Sequence, residues 1–417
     1  VLLYFVRKYF LGQKLSHLIF AAIALGLVFM IRPVNIIIII ALPMLAENWL
    51  NFKDTVFQKL KSLRFLLAII LVIIATSPYL LINYLQTSHI FYFGYQGEGF
   101  YWSRPEILNF LFSFRKGWFI YTPFYLLLFP AVFILFKRNR YQFIWFLAFF
   151  LSLIYLFSSW WNWFYGDSFG MRPMVDLTTL FILVISLSCN KIKPLIRNLL
   201  LIFLLIVSSL NLVQSYQYVK GIIHPDSMNM KAYFKVFLKT SQNYEGLISG
   251  GPEYYYGNLA EYQFYSKHNS FEIAGNNLSN TNNLIKGKSH SGDYSLKFDE
   301  NNFYGGAYEF FIPDSLKGRK NLYLKFSSFY LETQPNSAKK ALYIMDIKNA
   351  EGKTMFYKRA ALKQIPDDII NEWRKSETGV KIPKIINDYH SIKIYIWNVD
   401  KSDFLVDDFN LDFYEFN

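Results

Sequence analysis

The sequence predicts a multi-span α-helical membrane domain followed by an all-β domain, a jelly roll or another β-sandwich. Three observations predict this. The chain has 417 residues, of which 53% are hydrophobic, and its long apolar runs are concentrated in residues 1–215. Lys and Arg fall in short clusters between those runs, as membrane topology requires. From residue 261 onward, short runs alternate apolar and polar residues, which is typical of β-strands.

These patterns divide the chain into three parts. Residues 1–215 form the transmembrane domain, with about seven membrane helices. Residues 216–260 form an amphipathic connector next to the membrane, in which "MNMKAYFKVFLKT" (228–240) predicts a helix lying on the bilayer surface. Residues 261–417 form the sandwich, outside the cytoplasm.

A membrane-spanning helix needs roughly 20 mostly apolar residues. The stretch Leu18–Leu45 is interpreted as two short helices that meet at Arg32-Pro33. The other predicted spans are Phe65–Leu85, Trp118–Phe136, Tyr141–Ser159, Pro173–Leu187 and Leu195–Val213.

The basic clusters predict the orientation of these helices. Cytoplasmic loops are enriched in Lys and Arg, and four basic clusters occur within residues 7–14, 53–64, 137–140 and 191–197. If all four clusters are cytoplasmic, the chain must cross the membrane an even number of times between one cluster and the next. Two short helices that meet at Arg32-Pro33 give two crossings between the first and second clusters. We therefore expect a multi-pass protein of the bacterial inner (plasma) membrane whose C-terminal domain is periplasmic. The net charge of +13 then reflects topology, and no nucleic-acid partner is expected.

The predicted outer loops carry several cations beside apolar segments. The arginine guanidinium can donate two hydrogen bonds to one phosphate, so a lipid-linked phosphate is the predicted ligand of these cations. The alternative is that the side chains reach lipid headgroups without forming a site. The residues concerned are Arg32, Arg104, Arg115, Lys116 and Arg172.

An aromatic and glycine-rich stretch, "WWNWFYGDSFGMRP" (160–173), separates two apolar runs. Gly166 and Gly170 permit turns that other residues disfavour, so Asp167 and Arg172 are expected to face a common cavity. Aromatic side chains around it would stack on a sugar or lipid; a membrane-interface belt is the alternative. The predicted stacking residues are Trp118, Trp161, Trp163 and Tyr165.

Three motifs carry a family resemblance over residues 1–240. "WWNWFYGDSFGMRPMVD" (160–176), "FSFRKGWFIYTPFYLLL" (112–128) and "ALGLVFMIRPVN" (24–35) resemble segments of bacterial GT-C-type membrane glycosyltransferases. Relatives of protein O-mannosyltransferases and of lipid A aminoarabinose transferases belong to that group. The resemblance implies an inverting transferase that uses a polyprenyl-phosphate sugar and acts on a glycan, lipid or protein acceptor, with no cofactor required for transfer.

The resemblance also implies a carboxylate base in a first outer loop, upstream of the residues present. The chain begins at Val1 with "VLLYF", which is similar to the end of an apolar helix, so we expect an N-terminally incomplete enzyme. Glu98 and Asp167 are the predicted auxiliary acids. Asp176 is expected to cap or pack within its own helix.

The C-terminal part resembles carbohydrate-binding-module jelly rolls, on the residues "SFEIAG", "KSHSGDYSLKF" and "FLVDDFNLDFYEF". That resemblance implies a structural Ca²⁺ held by Glu272 and Asp408, with solvated strand ends as the alternative. In "SIKIYIW" (391–397), Tyr395 and Trp397 share one face of a strand and are predicted to bind sugar, although Trp397 packed under a loop is equally consistent.

Two other functions remain open at this point. A transporter or flippase for lipid-linked sugars would place polar residues near the bilayer midplane. A non-catalytic membrane anchor that presents a carbohydrate-binding sandwich would not need the glycine turn or Arg172.

Overall fold

The computed structural model of the chain describes residues 1–92, 94, 98–189, 193–251, 263–272, 278–279, 283–312, 314–385 and 387–415. It contains two compact units. The helical unit comprises Val1–Gln96, Arg104–Tyr165 and Gly170–Asn211. The sandwich unit comprises Gly97–Ser103, Gly166–Phe169 and Leu212–Asn417. The predicted boundary between connector and sandwich lies outside the described residues.

Eleven α-helices occur in the described residues. They are α1 Leu2–Gly12, α2 Leu15–Ile31, α3 Trp49–Thr55, α4 Leu63–Thr87, α5 Ile107–Phe112, α6 Trp118–Tyr121, α7 Leu128–Arg138, α8 Arg140–Ser158, α9 Thr178–Cys189, α10 Pro194–Val219 and α11 Met230–Val236. The longer 3-10 segments are Pro33–Ala46, Pro123–Leu127 and Arg172–Leu177.

Most of the predicted spans are helical, and the break at Arg32 is confirmed, because α2 ends at Ile31 and a 3-10 segment starts at Pro33. The prediction of one continuous helix over Trp118–Phe136 is wrong. The chain breaks after Tyr121, since Pro123 has no N–H to continue the helix. The carbonyl of Tyr121 instead accepts a hydrogen bond from Asn211 Nδ2 of α10, at 2.7 Å.

The long helices leave large apolar side chains exposed. Within the described residues, four helical segments are long and apolar enough to cross a membrane, or five if the bent pair Pro33–Ala46 and Trp49–Lys59 is one span. In α4 Ile73 is 58% exposed, and in α10 Leu205 is 69% exposed. Exposed apolar surface on this scale is rare in soluble proteins. The four segments are α4, α8, Arg172–Cys189 and α10.

Close packing holds the interior of the helical unit. Trp118 is 1% exposed and lies against Tyr125 and Phe181, with ring centroids 4.8 and 5.1 Å away. Helices α2 and α4 approach so closely that a Cβ atom at Gly26 would lie 2.5 Å from Cβ of Ala75. Glycine is required there because it lets two helix backbones meet.

The sandwich unit consists of two antiparallel sheets, which confirms the predicted all-β sandwich. One sheet has the order β3-β4-β11-β6-β9, with β1 also paired to β11; the other has the order β2-β5-β10-β7-β8. The strands are β1 Gln263–Asn269, β2 Leu278–Ser279, β3 Leu284–Lys286, β4 Tyr294–Phe298, β5 Tyr304–Phe311, β6 Lys320–Glu332, β7 Ala341–Lys348, β8 Thr354–Ala361, β9 Trp373–Lys384, β10 Ser391–Asn398 and β11 Phe404–Glu415.

A buried ionic network ties two loops of the sandwich together. Glu332 is fully buried and accepts hydrogen bonds from Lys363 Nζ, at 2.6 Å, and from Arg374. Arg374 also binds Asp367, at 2.5 Å, and its guanidinium lies 4.8 Å from the ring centre of Tyr330. Burial raises the pKa of Tyr330 to about 12. Because every charge has a partner, the network can be buried without an unpaired ion.

Candidate functional site

The outer face of the five-stranded sheet carries a group of aromatic rings. On β10, Ile392, Ile394 and Ile396 are fully buried, so Tyr395 and Trp397 project from the opposite face. Tyr304 of β5 stacks on Trp397, with ring centroids 5.8 Å apart and planes 23° apart. Tyr304 also meets Tyr395 edge-on at 5.9 Å. Together with Tyr357 of β8, we call Tyr304, Tyr395 and Trp397 the aromatic face.

Charged groups lie among these rings. Asp346 of β7 is paired in register with Tyr357 and forms an ion pair with Lys348 at 3.5 Å. Burial raises the pKa of the Tyr395 hydroxyl, and the nearby Tyr357 and Asp346 add to the shift. One oxygen of Asp346, Oδ1, is buried with no hydrogen-bond donor in the described residues. The face therefore combines flat aromatic surfaces with the carboxylate of Asp346, whose side chain is 13% exposed.

The far edge of this face carries a cation. Arg359 follows Tyr357 by two residues on β8 and is exposed, and no carboxylate in the described residues pairs with it. Tyr304 and Tyr357 are 41% and 45% exposed, so a ligand can reach their rings. Aromatic rings beside a few polar groups suit a ligand with apolar faces and hydroxyl edges.

A second cluster lies in the helical unit, where α2 gives way to the 3-10 segment at Pro33. Arg32 forms an ion pair with Asp176 at 3.3 Å, and Asn35 Nδ2 donates to the same carboxylate oxygen at 2.9 Å. The side chains of Arg32 and Asp176 are 28% and 39% exposed. Asp176 therefore contacts another segment, and the expectation that it serves only its own helix is wrong.

The glycine-rich stretch adopts the predicted turns. Gly166 and Gly170 have φ of +62° and +56°, as does Tyr165 at +57°. The Tyr165 hydroxyl donates to the carbonyl of Phe157 at 3.0 Å. Burial raises the pKa of Tyr165, and the positive charge of Arg32 opposes that shift. Arg172 is exposed, and its guanidinium pairs with no carboxylate in the described part of the chain.

The other predicted phosphate ligands differ in their surroundings. The Arg115 guanidinium lies 3.7 Å over the ring of Phe164, a cation–π contact. Lys116 is 2% exposed and so is buried, whereas Arg104 is exposed. Arg32 is paired with Asp176, and phosphate binding by the five cations stays a prediction.

The predicted stacking residues are mostly buried. Trp118, Trp161 and Trp163 are 1%, 4% and 6% exposed, so their rings pack against protein. Of the predicted auxiliary acids, Asp167 is exposed. Glu98 lies close to Tyr389 of the sandwich unit, since its charge adds to the burial that raises the pKa of Tyr389. The catalytic and stacking roles of these residues stay predictions.

The two predicted calcium ligands make separate hydrogen bonds. Glu272 Oε1 accepts from the backbone N–H groups of Asp293 and Tyr294, both at 2.9 Å. Asp408 has φ of +49° at a bulge of β11 and bonds to His290, at 2.5 Å, and to the Ser291 hydroxyl, at 2.6 Å. Among the described residues, no three His, Cys, Asp or Glu side chains are arranged to hold a metal. The calcium site stays a prediction.

Sequence reasoning missed Tyr304, Tyr357, Asp346 and Asn35. The first three come from strands β5, β8 and β7, and only the register between strands brings them beside Tyr395. The signal available was the alternation within each strand, which marks an outward residue but not its neighbours.

No family model and no curated protein matches the chain. Among solved structures, the xylan-binding domain CBM22-1 of Paenibacillus barcinonensis Xyn10C is 13% identical, with a TM-score of 0.26, over 36% of this chain and 95% of that domain. The xylan-binding domain CBM22-2 of the same protein is 15% identical, with a TM-score of 0.26, over 35% of this chain and 97% of that domain. The C-terminal family 22 carbohydrate-binding module of Clostridium thermocellum Xyn10B is 14% identical, with a TM-score of 0.25, over 36% and 94%. At these values the likeness does not tell what this chain binds.

Proposed function

We propose that the sandwich binds carbohydrate chains on the aromatic face. The observation that carries this proposal is the stacking of Tyr304 on Trp397 beside Tyr395 on one open sheet surface. The apolar faces of sugar rings would lie on these rings, while Asp346 accepts and Arg359 donates hydrogen bonds to hydroxyl groups. A sheet holds these groups at fixed spacing, so little side-chain ordering is needed on binding.

The test is binding of the full chain, in detergent, to a panel of oligosaccharides that includes xylo-, cello-, manno- and galacturono-oligosaccharides. We expect Trp397→Ala and Tyr357→Ala each to weaken binding about tenfold or more, since each removes an aromatic anchor. Tyr294→Ala, on the six-stranded sheet, is the control and should bind as the unchanged chain does. Equal binding by all three variants would refute the proposal.

For the helical unit we propose glycosyl transfer from a polyprenyl-phosphate sugar. In this reaction the acceptor hydroxyl loses its proton to a carboxylate, its oxygen forms a bond to the anomeric carbon with inversion, and the bond from that carbon to phosphate oxygen breaks. The leaving polyprenyl phosphate keeps its negative charge, which cations stabilise. The contact between Arg32, Asn35 and Asp176 supports this proposal, because residues about 140 positions apart in sequence form one polar cluster at the predicted outer turn.

Within this proposal Arg172 is the donor-phosphate ligand, because its guanidinium is exposed. Asp176 is a positioning residue, because Arg32 and Asn35 already occupy its carboxylate. Transfer of radiolabelled sugar from polyprenyl phosphate should be abolished in Arg172→Ala and retained in Arg197→Ala, an arginine of the predicted cytoplasmic side. Full transfer by Arg172→Ala would remove that residue from the site. A chain inactive with every donor would refute transfer and leave the carbohydrate-binding proposal untouched.

A further inference from the structure

The connector after α10 contains a short helix with two opposite faces. Helix α11 buries Ala232, Tyr233 and Val236, which are 0%, 7% and 1% exposed. The other face is open to the surroundings. We call Met230 and Phe234 of this face, together with Phe237 and Leu238 just after the helix, the connector surface; their exposed fractions are 62%, 57%, 38% and 51%.

Two buried glutamines fix this helix to the last turns of α10. Gln214 Nε2 donates to the Tyr233 hydroxyl at 2.8 Å. Gln217 Nε2 donates to the carbonyls of Val236, at 2.6 Å, and Lys239, at 2.7 Å. The carbonyls at a helix end lack helical partners, so Gln217 completes the end of α11. The connector surface therefore has a fixed position relative to the end of a helix that is apolar enough to cross a membrane.

A loop of the sandwich holds α11 from another side. Asn229 caps the helix by accepting from the N–H of Ala232, at 2.8 Å, and donates to Gln364, at 2.7 Å. Lys235 Nζ donates to the carbonyl of Pro366 at 2.8 Å. The loop that contains Gln364 and Pro366 begins next to Lys363, and Lys363 is paired with the buried Glu332. Because α11 is anchored on both sides, it cannot turn to bury its apolar residues.

The segment that carries the connector surface has charges of one sign. Residues 228–240 contain Lys231, Lys235 and Lys239 and no acidic residue. Lys235 donates its hydrogen bond to the carbonyl of Pro366, while Lys231 and Lys239 are exposed. Apolar side chains flanked by lysines are typical of segments that lie in the headgroup region of a bilayer with anionic lipids.

We propose that the connector surface inserts into the lipid headgroup region, with Lys231 and Lys239 at lipid phosphates. Its direct connection to the end of α10 favours lipid over a protein partner, because a bilayer crossed by α10 would have its surface at this level. The proposal depends neither on carbohydrate binding nor on sugar transfer.

The test uses the full chain in lipid nanodiscs that hold one copy each. The single cysteine is replaced by Cys189→Ser, and an NBD fluorophore is attached at Leu238→Cys or Met230→Cys. Ile73→Cys in α4 is the membrane control, and Glu351→Cys in an exposed turn of the sandwich is the water control. With lipids that carry a doxyl quencher near the headgroup, or at mid-chain for the control at 73, we expect quenching at 238 and 230 at least about twice that at 351. Quenching should increase with phosphatidylglycerol and lose this dependence in a Lys231→Gln, Lys239→Gln double variant.

If quenching at 238 equals that at 351 while 73 is strongly quenched, the proposal is overturned. The placement of α4 in the membrane would then still stand. Blue-shifted emission at 238 without quenching would show that protein, and not lipid, covers the surface. Absence of quenching at 73 would overturn both the membrane placement and the proposal.

Discussion

The helical unit and the sandwich unit place their apolar and charged side chains in different ways. In the sandwich, inward residues such as Ile394 are fully buried, and charges such as Glu332 are buried with their partners. In the helical unit, Ile73 and Leu205 stay exposed, and the Arg32–Asp176 pair lies partly exposed at a break between helices. A helix that is apolar on all sides needs apolar surroundings. The comparison thus indicates that the sandwich buries a charged network whose members are paired, whereas the helical unit keeps its Arg32–Asp176 pair partly exposed.

The largest effect is expected from removing a carboxylate charge inside the sandwich. Glu332→Gln leaves Lys363 and Arg374 without their buried counter-ion, so the free energy of unfolding should fall by about 3–5 kcal/mol. The equivalent change in the helical unit, Asp176→Asn, should cost less than about 1 kcal/mol because its pair is partly exposed. Denaturant unfolding followed by circular dichroism measures both. Equal losses of unfolding free energy in Glu332→Gln and Asp176→Asn would contradict the difference between the two units.

A smaller effect is expected where two helices of the helical unit touch. In Gly26→Val the added Cβ would meet Ala75 at 2.5 Å, so α2 and α4 must separate, which should cost about 1–3 kcal/mol. Gly12 has no atom within 4 Å of an added Cβ, so Gly12→Ala is the matched control. Thermal unfolding in one detergent compares the two. If Gly26→Val and Gly12→Ala have the same melting temperature, the close approach of α2 and α4 does not contribute to stability.

The smallest effect concerns pH. Burial raises the pKa of Glu377, but hydrogen bonds from Lys325 and Lys375 outweigh it and hold the pKa below its ordinary value. A depressed folded-state pKa gives stability that is present above the unfolded value, about 4.3, and lost as pH falls through the folded value. The melting temperatures of the unchanged chain and Glu377→Gln should therefore differ at pH 6 and converge toward pH 3. A gap that widens in acid would contradict this sign.

Much of the fold could be predicted from local patterns, and much of the site could not. Strands β10 and β11 follow from alternation, but β9 was not predicted because Gly379, Pro383 and several polar residues interrupt it. The ring of Tyr323 from β6 lies over Gly379, since a Cβ there would come within 1.8 Å of the Tyr323 hydroxyl. That ring lies on another strand, so the sequence of β9 alone does not contain it.

The candidate sites show the same limit. Alternation within β10 identified Tyr395 and Trp397, whereas Tyr304 joins them only through the pairing of β5 with β10. Arg32 was predicted as an outer cation, but its partner Asp176 was assigned to its own helix, since a separation of 144 residues hides the pair.

The hydrogen bond from Asn211 to the carbonyl of Tyr121 fixes the rotation of α10 about its own axis. Successive residues of an α-helix point about 100° apart, so a shift of α10 by one residue would turn the Asn211 amide away from the Tyr121 carbonyl and break this hydrogen bond. Asn211 thus selects a single rotational setting of α10 at Tyr121, which apolar contacts alone do not specify.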